Sequence, residues 1–99
     1  MGAHNFEHHQ YGSSPEEAFK DAQEQAVYDY GHDPYNGTIS TVSGFVHIPL
    51  EEGEEGGAWH NRVIEDPRVQ KWEDCAYRVS DEPEENGRKL YVFAGWAAC

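Results

Sequence analysis

From Leu90 to Trp96 the chain is apolar at odd and even positions alike. A β-strand turns successive side chains to opposite faces, so a run of this kind has no solvent face and belongs in the middle of a sheet. Asn86-Gly87 just before it is a strong hairpin signal, and Cys75-Ala76-Tyr77-Arg78-Val79 alternates as the partner strand. The second constraint is a helix start. Ser14-Pro15-Glu16-Glu17 supplies an N-cap, a proline at the first helical position, and a glutamate three residues after the cap. Ala18, Phe19, Ala22, Ala26, Val27 and Tyr30 then recur at helical spacing, while Lys20, Asp21, Glu24 and Gln25 face out. Gly31 suits the left-handed residue that ends such a helix, which predicts a span of 15–30.

The remaining elements are read around these. Residues 3–11 alternate loosely, Phe6 and His8 on one face and Glu7 and His9 on the other, as a polar edge strand would. Thr38-Ile39-Ser40-Thr41-Val42 reads as a strand, Ser43-Gly44 as a tight turn, and Phe45-Val46-His47-Ile48 as its hairpin partner, stopped by Pro49. Between Ala58 and Trp72 the pattern is mixed: Trp59, Val63 and Ile64 share a helical face until Asp66-Pro67 interrupts. The expected order is β-α-β-β-α-β-β. That is an α+β fold, a mostly antiparallel sheet with helices on one side, in a single small acidic domain over 1–99. Mobile acidic loops are expected at 51–57 and 81–87.

Charge narrows the function. The 99 residues hold 19 Asp and Glu against 7 Lys and Arg, a formal −12, with 13% aromatic residues arguing against disorder. Nucleic-acid affinity comes mainly from neutralising phosphates with Lys and Arg, so direct nucleic-acid binding is not expected, nor is adhesion to anionic membranes. There is no apolar run of membrane-spanning length, and no basic-then-apolar leader in the first thirty residues, so the expected location is cytoplasmic. The charge is also uneven. Residues 51–85 hold 12 acids against 4 bases, or −8. Two cysteines, Cys75 and Cys99, match neither a zinc site nor a redox pair; a disulfide between them stays open, with two thiols preferred.

Several segments together resemble a known group. Ser14-Pro15-Glu16-Glu17-Ala18-Phe19 opens a helix, followed by Tyr30-Gly31-His32-Asp33-Pro34-Tyr35-Asn36-Gly37-Thr38-Ile39 and Gly44-Phe45. Asp66-Pro67-Arg68-Val69, Lys71-Trp72 and Phe93-Ala94-Gly95-Trp96-Ala97 come later. This resembles small proteins of tailed bacteriophages and prophage-bearing bacteria, in which a helix runs into a G-H-x-x-Y-x-G-T-I turn and a terminal strand ends in F-x-G-W-A. The resemblance spans most of the chain. It implies a phage-type accessory protein acting in the host bacterial cytoplasm, and it carries no catalytic residue across.

Three constellations merit weighing as chemistry. The turn from Gly31 to Thr38 gathers His32, Asp33, Tyr35 and Asn36 between a helix end and a strand. His32 beside Asp33 has the make-up of a general base, and Asn36 that of a ligand donor, but ordinary turn formation explains the same residues and is preferred. Removal of Met1 would expose Gly2-Ala3-His4, whose amine, amides and imidazole form a square-planar nitrogen set for copper or nickel. This is a subordinate reading; neither a metal nor a cofactor is expected in the working protein. The acidic stretches are the third. Glu51, Glu52, Glu54, Glu55, Glu82, Glu84 and Glu85 flank a Trp-rich middle, and Trp59, beside the glycine-rich loop, is expected to be partly exposed as an interface anchor. With Tyr35 and Asn36 these are the candidate binding residues.

The preferred reading is a non-enzymatic protein that binds and masks or inhibits a cytosolic host protein through an acidic, aromatic-flanked surface. The partner would be one with a basic face, including one that normally holds nucleic acid. The alternatives are a small ligand-binding domain or enzyme centred on residues 31–38, and a structural or assembly subunit of a phage particle.

Overall fold

The structure, a computed structural model, describes residues 3–30, 38–70 and 73–98. Strand β1 (Ala3–Gly12) leads through Ser13-Ser14 into helix α1 (Pro15–Tyr30). The cap forms as the sequence predicts: the Glu17 amide donates to Ser14 Oγ at 3.1 Å, and the Glu17 carboxylate accepts from the Ser13 hydroxyl. Strand β2 (Gly44–His47), helix α2 (Gly56–Val63), strand β3 (Asp74–Val79) and strand β4 (Lys89–Ala98) follow.

The sheet order is β1-β4-β3-β2. The two-faced apolar run therefore lies inside the sheet, antiparallel to β1 on one side and to β3 on the other. Asn86 and Gly87 both adopt positive φ, 54° and 77°, and Glu85 and Arg88 exchange backbone hydrogen bonds across them at 2.9 and 3.0 Å. This is the two-residue hairpin turn whose twist matches its strands.

Two expectations are corrected. Residues 38–42 are not a strand, and no hairpin joins them to residues 45–48. Ile39–Thr41 is instead a short 3-10 turn, closed by the Thr41 amide on the Thr38 carbonyl at 3.1 Å. The reason is tertiary. Ile39 and Val42, three apart, both point into the core against α1. Gln23 Nε2 donates to the Ile39 carbonyl at 3.3 Å and the Val42 carbonyl at 2.8 Å, satisfying acceptors that a strand would have given to a neighbour. β2 accordingly pairs with β3, in parallel, with Gly44 opposite Asp74 and His47 opposite Tyr77. Two of three pairings remain antiparallel, and one strand fewer is present among the described residues than expected.

The helices also do not share a side. Cys75, Tyr91 and Phe93 face α1 and pack with Ala18, Phe19, Ala22 and Ala26. Ala76, Val92 and Ala94 face the other way and pack with Trp59 and Val63 of α2, together with Ile48 and Val69. Alternation along β3 and β4 thus feeds two cores, one under each helix. The α1 core is aromatic: the Phe19 ring lies 4.9 Å from Phe45 and 5.7 Å from Phe93, and Tyr77 meets Phe45 edge-on at 5.2 Å. Gly95 lies on the α1 face, where a Cβ would stand 2.9 Å from Cys75 Cβ. The glycine is required there so that β4 can lie against β3.

Candidate acidic cleft

α2 begins two residues earlier than its apolar pattern suggests, at Gly56, so Glu54 and Glu55 lead directly into it. The Glu54 amide donates to the Glu51 carbonyl at 3.0 Å, and Gly53, at φ 78°, makes the turn between them. Arg62, in the last turn of α2, reaches back over this loop. Its guanidinium donates to both Glu54 oxygens and to the Pro49 carbonyl at 3.0 Å, and lies 3.2 Å from Glu51. The Arg62 hydrogen bond, aided by the Glu51 backbone, holds the Glu54 carboxyl down to about 2.

The second acidic stretch leaves β3 at Val79. The Ser80 amide donates to the Leu90 carbonyl at 2.8 Å, and Ser80 Oγ accepts the Glu82 amide at 3.2 Å, turning residues 81–83 toward α2. The two stretches meet. Leu50, Glu54, Glu55, Gly56, Arg78, Ser80, Asp81, Glu82 and Pro83 line a cleft of about 570 Å³.

Arg78 is the floor. Its strand position turns it to the α2 face, where the guanidinium carbon stands 4.9 Å from the centre of the Trp59 ring. Gly56 makes room for it: a Cβ there would come within 3.1 Å of an Arg78 nitrogen. Arg78 Nε is buried without a hydrogen-bond partner among the described residues. Three carboxylates on the rim, Glu55, Asp81 and Glu82, are exposed and make no ion pair with a cation among the described residues.

The expected binding residues therefore divide. Glu54, Glu55 and Glu82 converge on the cleft; Glu51 is turned toward Arg62, and Glu52 is exposed beside it. Glu84 and Glu85 sit out on the hairpin, exposed and off the cleft lining. Trp59 is a correction. It is 0% exposed, with Nε1 donating to the Ile48 carbonyl at 2.6 Å, so it supports the floor instead of anchoring a partner. Its place beside a glycine-rich loop suggested exposure, but those glycines are the start of its own helix. His32, Asp33, Tyr35, Asn36 and Gly2 lie outside the described residues. Ala3 and His4 are exposed at the start of β1, opposite Ala98 and Ala97.

Other features were not anticipated. Arg78 counted in the sequence only as one of few bases, though its alternation with Tyr77 marks the face it occupies. On the same face of the sheet, Glu7 lies between two histidines: His9 Nε2 is 2.9 Å from one oxygen, and His60 Nδ1 is 3.2 Å from the other, off the line of a hydrogen bond. His60 Nε2 is 3.2 Å from Asn5 Oδ1. Among the described residues no group of three or more His, Cys, Asp or Glu side chains is arranged to hold a metal ion. Cys75 is a free, fully buried thiol whose ionisation burial pushes far upward, and Cys99 lies outside the described residues. No helix among the described residues is long and apolar enough to cross a membrane.

No protein-family model, curated protein or solved structure matches the chain.

Proposed function

We infer that the chain is a non-enzymatic binding protein, a phage-type accessory protein that masks or inhibits a cytosolic host protein by engaging its basic surface at the acidic cleft. One observation carries this reading: two acidic stretches far apart in sequence line the same cleft, with three rim carboxylates that no cation pairs among the described residues. Trp59 being buried removes the aromatic flank, so the surface acts by charge and shape. A pair of charges about 4 Å apart near a protein surface attracts by about 4 kcal/mol before desolvation, yet exposed pairs net only about 0–1 kcal/mol. Several lysines or arginines must therefore engage together. A surface that normally grips phosphates supplies such an array.

The test is capture of basic proteins from a bacterial lysate at low ionic strength, comparing the native chain with an E55Q/D81N/E82Q variant. The reading predicts a protein retained by the native chain, released by salt, and absent from the variant. Equal retention by both chains overturns it.

A further inference from the structure

The sheet has two edges of different design. β2 spans four residues, is followed by Pro49, and runs directly into the acidic loop at residue 51. These are the devices that keep an edge from pairing with another chain. β1 has none of them. It spans ten residues without proline or lysine, and among the described residues it has a strand neighbour on one side only. Self-repulsion within it is also small. Ala3–Gly12 carries one acid, Glu7, of the 19, and three histidines.

We propose that two copies of this chain associate edge to edge through antiparallel pairing of β1, about a two-fold axis at His8, forming a continuous eight-stranded sheet. The register follows from faces and charge. Residues directly opposite each other must point to the same face, so an axis normal to the sheet has to pass through a residue of the strand, where that residue meets its own copy. An axis at Glu7 sets two carboxylates against each other. An axis at His8 sets Glu7 opposite His9 of the second copy, and does so twice; no other axis puts Glu7 directly opposite a histidine. Side-chain exposures of 36% for Glu7 and 51% for His9 leave both within reach of a neighbour. A carboxylate accepts from an imidazole N–H in either protonation state, and opposite cross-strand pairs of this kind stabilise a ladder. The acidic clefts, formed at the β3–β2 side of the sheet, stay apart in such a dimer. This inference is independent of the partner-binding reading.

The test is the molar mass of the full chain in solution from micromolar concentration upward, by sedimentation equilibrium. The expected mass rises from 11.2 kDa toward twice that. H8K places two ammonium groups against each other at the axis, and the dissociation constant should rise by about tenfold or more. A second arm does not depend on that variant folding. In a C99S background, H8C places identical residues opposite each other, within about 5 Å between Cα atoms, and should crosslink on oxidation. H9C places its thiols two residues out of register, and should not. A mass of one copy at every concentration, a dissociation constant that H8K leaves unchanged, or equal crosslinking of the two cysteine variants would each overturn the proposal.

Discussion

Arg62 grips Glu54 through two nitrogens of its guanidinium, Nε to Oε2 and Nη2 to Oε1, each at 2.8 Å. The fork fixes one wall of the cleft to the helix that follows it. It also removes Glu54 from the charges offered to a partner, leaving Glu55, Asp81 and Glu82 at the rim. Bidentate arginine–carboxylate contacts are directional as well as strong, so the wall has one preferred geometry before anything binds.

The first prediction concerns acid. In the folded chain Glu54 titrates at about 2, below the ordinary glutamate value, because the Arg62 hydrogen bond and the Glu51 backbone favour its charged form. A lowered carboxylate contributes stability that is complete above the unfolded value near ~4.3 and is lost as pH falls through the folded one. Side-chain carboxyl NMR should find Glu54 ionised at pH values where exposed glutamates are already half protonated. Asp66, held at about 2 by Arg68, loses its contribution in the same window. R62Q acts chiefly on Glu54: it should move this carboxyl up toward the ordinary range and raise hydrogen exchange at the Glu54 amide, while Asp66 loses only the smaller attraction of the Arg62 charge and keeps its Arg68 hydrogen bonds.

A second prediction rests on Trp59. Its indole fills the core beneath α2 and carries the Arg78 guanidinium on its face. W59A should cost about 3–5 kcal/mol in denaturant unfolding through the cavity it leaves. W59F should cost about 2 kcal/mol, since it also strands the buried Ile48 carbonyl. The tryptophan emission of the folded chain should contain a strongly blue-shifted contribution that W59F removes.

Gly95 gives a third. G95A drives a methyl into Cys75 on the neighbouring strand, and should cost about 1–3 kcal/mol. Combining it with C75A gives no rescue, because alanine keeps the Cβ that is struck. Thermal unfolding of the single and double variants checks both statements.

Gln23 gives a fourth. Its amide serves two carbonyls of the 3-10 turn, so Q23A should cost about 1–3 kcal/mol in unfolding free energy. Q23E should cost more near neutral pH, because an ionised carboxylate cannot donate and faces two carbonyl oxygens.

Much of this architecture is legible in residue order. The α1 cap, the Asn86-Gly87 turn and the interior place of β4 follow from local stereochemistry, which a sequence displays directly. Residues 38–42 mislead because Thr, Ile and Val favour strands, whereas a glutamine on another element decides their shape. The parallel β2–β3 pairing is similarly non-local. The layering was within reach: a strand apolar on both faces needs cover on both, and Val92 and Phe93 point to different helices. The acids of the cleft stand out in composition, but their meeting depends on where β3 ends, and the alternation around Arg78 marks its face but not the cleft it floors.

The position of β4 bears on how the chain reaches this state. β4 separates β1 from β3, so before residues 89–98 are in place neither has its antiparallel neighbour. The β2-α2-β3 unit can form early. β1 can only wait, since its ladder joins Ala3 to Ala98 and closes nearly the whole chain into a loop. Until β4 is in place the α1 core lacks Tyr91 and Phe93, and Phe19, Phe45 and Tyr77 are covered only by one another and by the 3-10 turn. A truncation before Lys89 should yield an aggregating fragment and not a smaller fold.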